Sequence, residues 1–230
     1  MKSDRQIAII GLGAFGMALV KSLAKEGAQV IAVDDRMDNV EEIKHITLNA
    51  VCFDATDVRQ LKMHGITDVD VAVVAIGEKF DSTVIVAMEL LNSGVKEVYA
   101  RATSDIQEQI LRRIGVTEIL NPEKQLGERM GISLQKSGIK DLLELGDGQS
   151  IFEFMVPKSM NNFTLKELEL RRRFGINVLS ISRLVAHENN SVQSVYKSIG
   201  FTTPETKIKA GDKMIVLGGI EECSKFIALN

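Results

Sequence analysis

The chain has 230 residues, of which 45% are hydrophobic and 26% are charged, and its formal net charge is −3. This composition is typical of a soluble globular protein with one large domain or a standard domain and a smaller companion. The weak acidity gives no general electrostatic reason to bind nucleic acid. Cys52 and Cys223 lie far apart without metal-type spacing, which argues against a disulfide framework or a zinc site. The apolar runs have strand length, so we expect no membrane span.

The first structured segment reads IAIIGLGAFG and covers residues 7–16. It predicts a buried strand, a tight turn and the start of a helix. Its glycines follow the GxGxxG pattern at Gly11, Gly13 and Gly16. In that pattern the first glycine permits the turn, the second lets backbone N–H groups approach a pyrophosphate, and the third lets helix pack on strand. The pattern gains weight because the next strand ends in Asp34 and Asp35, where a carboxylate can accept hydrogen bonds from ribose hydroxyls.

Strand and helix patterns then alternate as far as residue 120. Helices are predicted over 36–45, 57–64, 84–91 (capped by Asp81) and 104–114, and strands over 50–53, 71–77, 97–102 and 118–120. The fully apolar run VAVVAIG is typical of a parallel strand covered on both faces. Six alternations predict an α/β fold, a Rossmann-like doubly wound parallel sheet with strand order 3-2-1-4-5-6.

Asn121 and Pro122 predict the cap and first turn of a further helix. Its apolar stripe, Leu126, Met130 and Leu134, would either pack on the chain's own sheet or dock a second subunit. From residue 139 the pattern predicts a smaller α+β lobe, with strands over 150–156, 177–183 and 213–218, helices over 164–174 and 221–228, and a polar loop over 187–191. We therefore predict one domain over residues 1–138, including this crossover helix, and a second over residues 139–230.

Ligands on an open α/β sheet lie beyond the carboxyl ends of the strands. The residues at these ends, which together would form the rim of a pocket, are Asp54, Ala55, Ile76, Gly77, Arg101 and Ala102. The carboxylate of Asp34 would repel a 2′-phosphate and disfavour NADP. Arg36 weakens this expectation, because a nearby arginine is what a 2′-phosphate would use. Glu123, in the first turn of its helix, either compensates the helix dipole or binds Mg²⁺ beside nucleotide phosphates.

No GxSxG, HExxH, CxxC or P-loop lysine motif occurs, and none of the three histidines has an obvious acid–base partner. An NAD-dependent oxidoreductase remains an alternative function, since it would explain the glycine loop and Asp34. Its second lobe, however, offers only His187, in a polar loop. A redox-sensing transcription factor is a third possibility, but no segment supplies a basic helix-turn-helix.

The joint set of GLGAFG, AVD, DAT, AIG and NPEK motifs resembles the regulatory RCK (KTN) subunits of Ktr-type and Trk-type bacterial potassium uptake systems. The resemblance covers nearly the whole chain, since RRRFGINVLSISR and IKAGDKMIVLG are similar to the family's C-terminal RCK domain. It implies a non-enzymatic cytoplasmic subunit at the inner face of the cell membrane. In such systems homodimers assemble into an octameric ring, and nucleotide occupancy of the ring gates a separate potassium-pore subunit.

The resemblance also implies a nucleotide site. Its residues would be Gly11, Gly13, Ala14, Phe15, Gly16, Asp34, Asp35, Arg36, Asp54, Ala55, Ile76, Gly77, Glu78, Arg101, Ala102, Thr103, Gln107 and Glu123. Glu123 would bind the cation, Mg²⁺, near a γ-phosphate. ATP-discriminating relatives commonly carry arginine where this chain has Ala14, and the missing guanidinium removes a bidentate phosphate contact. The substitution favours NAD(H) or AMP-type ligands over a switch between ATP and ADP.

In some relatives the C-terminal lobe binds cyclic di-AMP at its dimer interface. Arg171, Asn177 and Pro204 resemble positions of that site. The neighbouring arginines at 171–173 would otherwise form a solvated helix end.

Overall fold

The computed structural model describes residues 5–47, 49–135, 138–185 and 195–228. In its N-terminal part, helices alternate with parallel strands as the sequence predicts. The elements are β1 (Gln6–Ile10), α1 (Ala14–Lys25), β2 (Gln29–Asp34), α2 (Met37–Ile43), β3 (Asn49–Cys52), α3 (Val58–Met63), β4 (Val71–Val74), α4 (Phe80–Asn92), β5 (Glu97–Arg101), α5 (Asp105–Ile114), β6 (Glu118–Leu120) and α6 (Pro122–Gln135). The strand order is β3-β2-β1-β4-β5-β6, which confirms the predicted Rossmann-like topology.

Both faces of this sheet are covered by helices. Consecutive strand side chains point to opposite faces, and Ile9 and Ile10 of β1 accordingly belong to two separate buried apolar clusters. All four residues of β4 are buried, which explains the unbroken apolar run in the sequence. Because all six strands are parallel, their carboxyl ends lie along one edge of the sheet.

Of the two predicted helix caps, Asp81 and Asn121, the structure confirms the second. The side chain of Asn121 accepts a 3.1 Å hydrogen bond from the backbone N–H of Lys124, as expected for the cap of α6. The predicted cap of α4 is wrong, because the helix already begins at Phe80 and Asp81 lies inside its first turn. The earlier start packs Thr83 into the interior, where its hydroxyl donates to the carbonyl oxygens of Ile76 and Lys79.

The C-terminal part is an α+β lobe built on an antiparallel sheet. Its elements in the described ranges are β7 (Ile139–Gly146), β8 (Gln149–Met155), α7 (Leu165–Leu168), α8 (Leu170–Phe174), β9 (Asn177–Val185), β10 (Val195–Ser198), β11 (Lys213–Gly218) and α9 (Ile220–Ile227). The strand order is β10-β9-β11-β8-β7. The polar loop predicted over residues 187–191 lies outside the described residues.

Three features of this lobe differ from the sequence prediction, and one of them is β10, a strand that was not predicted. The helix predicted over 164–174 is broken at Glu169, which takes a left-handed φ of 46°. The break allows both Leu168 and Leu170 to be buried. In a continuous helix, residues two apart point to different faces, so one of the two would face solvent. β7 was not predicted, although Asp147 and Gly148 form the turn that joins it to β8 with φ of 51° and 73°. A pair of positive φ values is the signature of a type I′ hairpin turn, so the Asp-Gly dipeptide was the available signal.

The chain separates into two compact units, Met1–Gln125 and Leu126–Asn230, and α6 contains residues of both. The domain boundary between residues 138 and 139 stays a prediction.

On α6, Leu126, Met130 and Leu134 are 61%, 49% and 77% exposed. None of the helices in the described ranges is both long enough and apolar enough to cross a membrane.

Candidate functional site

A cavity of about 600 Å³ opens at the carboxyl edge of the parallel sheet. This volume falls in the range of small-molecule sites, which is about 300–1,000 Å³. The described residues that line it are Ile10, Gly11, Gly13, Ala14, Val33, Asp34, Asp35, Arg36, Asn39, Phe53, Asp54, Ala55, Ala75, Ile76, Gly77, Glu78, Lys79, Ser82 and Arg101. Most of the nucleotide site that the family resemblance implies is thus brought together in one place.

The three glycines of the loop have distinct steric roles. Gly11 has a φ of 97°, and a Cβ there would lie 2.9 Å from the backbone nitrogen of Ile76. A Cβ on Gly16 would lie 1.9 Å from the carbonyl oxygen of Gly11, so only glycine lets α1 pack this close to the turn. A Cβ on Gly13 would meet nothing within 4 Å, because this residue faces open space in the cavity wall.

The N-terminus of α1 lies at this cavity without a side-chain cap. Gly13 is its N-cap residue and cannot supply a capping oxygen. The first backbone N–H groups of a helix have no acceptor within the helix, and the helix dipole adds partial positive charge there. This end of α1 is therefore suited to an anion such as a phosphate.

Asp34, at the end of β2, is 8% exposed and is held by three protein donors. Its Oδ2 accepts from the backbone N–H of Leu12 at 2.6 Å, and its Oδ1 accepts from the backbone N–H of Arg36 and the side-chain amide of Asn39, both at 2.9 Å. A carboxylate offers about four acceptor positions, so roughly one remains for a ligand hydroxyl. The role of Asn39 was missed from the sequence, where nothing distinguishes it from a solvated helix residue.

The side chain of Asp54, which follows β3, is held by hydrogen bonds from Thr56. Oδ1 accepts from the backbone N–H of Thr56 at 2.9 Å and from its hydroxyl at 2.8 Å. These two hydrogen bonds, of which the backbone bond has the larger effect, hold the pKa of Asp54 below its usual value. Burial raises the pKa, and the positive charge of Lys79 lowers it further. Asp54 is therefore ionised at neutral pH and lines the cavity as an acceptor.

Arg101 and Lys79 supply positive charge to the cavity, and each is paired with an acid. The ammonium of Lys79 lies 3.3 Å from Oδ2 of Asp35 across the cavity mouth, between two exposed side chains. The guanidinium of Arg101 forms an ion pair with Glu123. Exposed pairs such as the first contribute little to stability, so it can open at small cost.

Several residues of the implied site do not line the cavity. These are Phe15, Gly16, Ala102, Thr103, Gln107 and Glu123. Gly16 and Ala102 are buried, and the backbone N–H and hydroxyl of Thr103 donate to the side-chain oxygen of Gln107 at 2.8 and 3.0 Å. The carboxylate of Glu123 is paired with Arg101, which lines the cavity. Conversely, Phe53, Lys79 and Ser82 line the cavity but were not predicted. Lys79 and Ser82 belong to no motif, and Phe53 is an apolar residue at the end of a predicted strand.

No group of three His, Cys, Asp or Glu side chains that could hold a metal ion occurs among the described residues. A cation at Glu123 would therefore depend on ligand oxygens and water for its other ligands. The described lining of the cavity contains no histidine, cysteine or tyrosine.

A second cavity, of about 420 Å³, lies in the C-terminal lobe. It is lined by Leu165, Lys166, Glu169, Leu170, Arg171, Arg172, Ile176, Asn177, Val178, Thr202, Thr203 and Pro204. The three residues that resemble a cyclic di-AMP site, Arg171, Asn177 and Pro204, all lie along this cavity.

The strand order, the glycine loop and the second lobe define a Rossmann-like α/β protein with an appended antiparallel domain. The model of the TrkA-N domain matches residues 7–122, half of the chain, and the protein belongs to this family. The resemblance to Ktr-type and Trk-type potassium uptake subunits is thereby confirmed.

Relatives of known name agree with this assignment. The chain is 31% identical to the Ktr system potassium uptake protein C of Bacillus subtilis (strain 168), over 96% of each chain. It is also 31% identical to the Ktr system potassium uptake protein A of Vibrio alginolyticus, over 78% of this chain and 82% of that one. The structure of the GsuK channel bound to NAD matches 99% of this chain with a TM-score of 0.52, at 20% identity and over 39% of the channel chain. At that identity the match supports the fold alone.

Proposed function

We propose that the protein is a regulatory subunit of a potassium uptake system, which binds an adenine nucleotide in the cavity at the sheet edge and thereby gates a separate membrane pore. The observation that carries this proposal is that the uncapped N-terminus of α1 and the buried carboxylate of Asp34 border one cavity. The first suits a phosphate and the second a ribose hydroxyl. The family supplies the connection to potassium uptake.

In this proposal the ligand's phosphates lie at α1 and extend toward Arg101, its ribose lies at Asp34, and its base lies beside the end of β3. The carboxylate of Asp34 disfavours the 2′-phosphate of NADP. Ala14 lines the cavity at the start of α1 and offers no guanidinium to a γ-phosphate. We therefore expect ATP and ADP to bind with similar affinity, and NAD(H) to compete with them. The GsuK channel, which shares the fold, binds NAD.

The membrane connection would come through assembly. The exposed stripe of Leu126, Met130 and Leu134 gives α6 an apolar face that a second copy of the chain would cover. Such homodimers would form an octameric ring at the cytoplasmic face of the pore subunit. Each nucleotide state would then stabilise a different ring geometry and so bias the pore, which requires only differential affinity for the two geometries.

Calorimetric titration with ATP, ADP, AMP and NADH, each with and without Mg²⁺, tests the ligand class. We expect at least one of these ligands to bind with one site per chain, and adenosine to bind more weakly than ADP. Absence of binding by every member of the panel would refute a nucleotide sensor. A large preference for ATP over ADP would refute the role given to Ala14.

For the second cavity we propose cyclic di-AMP as the ligand. The support is that Arg171, Asn177 and Pro204 line one cavity together with two further cations, Lys166 and Arg172, and one acid, Glu169, which pairs with Arg172. Arg173, on the same helix but outside the lining, provides a matched control. Cyclic di-AMP should bind the wild type and Arg173→Gln alike, and Arg171→Gln should weaken it roughly tenfold, because a charge-assisted contact is lost. Equal affinity in all three proteins would contradict the assignment.

A further inference from the structure

The ion pair between Arg101 and Glu123 is set by the register of the sheet. Arg101 is the last residue of β5 and lies opposite Leu120, the last residue of β6. The chain then turns into α6, so Glu123 lies in the first helical turn beside the guanidinium. The side chain of Arg101 is 16% exposed and that of Glu123 is 60% exposed. The pair therefore joins a fixed cation to a solvated acid.

Gly77 leaves space for the guanidinium of Arg101. A Cβ on Gly77 would lie 2.6 Å from Nη1 of Arg101, so the absence of a side chain at residue 77 makes room for the arginine in the cavity wall. Nε of Arg101 is buried and, in the part of the chain that the structure describes, has no hydrogen-bond partner. Buried donors without acceptors are rare in folded proteins. This donor would gain a partner only if the guanidinium moved, so the pairing with Glu123 leaves one hydrogen-bonding group of Arg101 unsatisfied.

We infer that Glu123 competes with the ligand's phosphate for Arg101, and that nucleotide binding moves the guanidinium from the carboxylate to the phosphate. This inference rests on the proposed nucleotide function and assigns the ligand dependence of that same site. A phosphate matches the guanidinium fork with two parallel hydrogen bonds and carries more charge than a carboxylate. Glu123 regains water at little cost, because it is already exposed.

We expect Mg²⁺ to reverse the effect of Glu123 on nucleotide affinity. Without a divalent cation, the carboxylate both occupies the arginine and repels the incoming phosphate. If Mg²⁺ were bound, the carboxylate of Glu123 would help to hold it and would no longer repel the phosphate, since Mg²⁺ is held by one or two carboxylates together with phosphate oxygens. Glu123 therefore opposes binding of the free nucleotide and favours binding of its Mg²⁺ complex.

The test compares Glu123→Gln with Glu128→Gln, which makes the same charge change at an exposed position of α6 outside the cavity. ADP and adenosine are titrated by calorimetry into each protein in EDTA and in excess Mg²⁺. In EDTA, Glu123→Gln should bind ADP about three- to tenfold more tightly than wild type, since a competing charged contact is removed. Mg²⁺ should improve ADP binding to wild type and to Glu128→Gln but not to Glu123→Gln. Adenosine affinity should be the same in all three.

Arg101→Gln supplies a second measurement. It should reduce the affinity difference between ADP and adenosine while leaving adenosine binding at the wild-type level, whereas a merely structural arginine would lower both affinities together. If wild type binds ADP and Glu123→Gln binds it equally or more weakly in EDTA, the competition is refuted and the nucleotide site stands. If wild type binds neither ADP nor adenosine, the competition is refuted, and the nucleotide site fails too if ATP, AMP and NADH also do not bind.

Discussion

The backbone N–H of Leu12 donates a 2.6 Å hydrogen bond to Oδ2 of Asp34, which ties the glycine loop to the end of β2. The residue that would bind the ribose therefore also fixes the loop that would bind the phosphates. A single carboxylate orders both halves of the site, so its loss should affect folding and binding together.

Asp34→Asn tests this coupling. Asparagine keeps one acceptor oxygen, so at least one of the three donors to Asp34 loses its partner, at a cost of about 1–3 kcal/mol in the free energy of unfolding. Nucleotide affinity should fall tenfold or more, because a charged acceptor at the ribose is lost. Asp35→Asn, at the neighbouring exposed position, should change stability little. Urea unfolding and calorimetry measure both effects, and equal behaviour of the two variants would contradict the coupling.

Two glycines of the loop should respond differently to alanine. Gly16→Ala forces a methyl group against the carbonyl oxygen of Gly11 and should destabilise the fold by about 1–3 kcal/mol. Gly13→Ala meets open space, so it should fold well and lose mainly ligand affinity, because its methyl group enters the cavity where phosphates approach. Thermal unfolding with and without ADP separates the two effects. A strongly destabilised Gly13→Ala with normal ligand affinity would refute the distinction.

The apolar stripe on α6 should hold the homodimer. Met130→Glu introduces a charge into that stripe and should shift the protein from dimer, or a larger assembly, to monomer. Met63→Glu, on α3, is a matched control because Met63 is also an exposed methionine and lies outside the stripe. Light scattering coupled to gel filtration measures the mass of each. Dissociation of Met63→Glu, or an intact Met130→Glu assembly, would contradict the assignment.

Stability should depend on pH through Asp54. Its pKa in the folded protein is depressed, so the ionised carboxylate stabilises the fold above the unfolded pKa, near 3.8, and this contribution disappears as the pH falls through the lower folded value. Asp54→Asn should therefore be less stable than wild type at pH 7, and the difference should close below about pH 4. Denaturant unfolding across this range measures it. A difference that stays constant with pH would show that ionised Asp54 contributes nothing.

The N-terminal fold was predictable because its signals are local and repeated. Uninterrupted apolar strands, helix caps such as Asn121 and the glycine loop each indicate one element, and their alternation leaves a single common topology. The C-terminal lobe was less predictable. Its broken helix at Glu169 depends on burying Leu168 and Leu170 together, which the charged sequence around them conceals.

Some residues of the cavity could be predicted from the sequence and others could not. Residues at strand ends, such as Asp34, Gly77 and Arg101, could be placed from the sequence because parallel strands end at one edge. Asn39 and Lys79 could not, because each reaches the cavity from a helix or loop whose path is set by packing. Phe53 ends the strand predicted over 50–53 but has no polar group that would suggest a ligand contact. The pairing of Arg101 with Glu123 depends on the alignment of β5 with β6, which no motif encodes.

The central claim is that ligand occupancy of this cavity regulates potassium movement through a partner pore. Its most direct test is potassium flux into proteoliposomes that contain the cognate pore subunit and either the wild-type chain or Asp34→Asn, with and without the nucleotide that binds in the calorimetric panel. We predict that the nucleotide changes flux with the wild-type chain and leaves it unchanged with Asp34→Asn. Flux that is insensitive to the wild-type chain, or that responds equally with both proteins, would contradict the account.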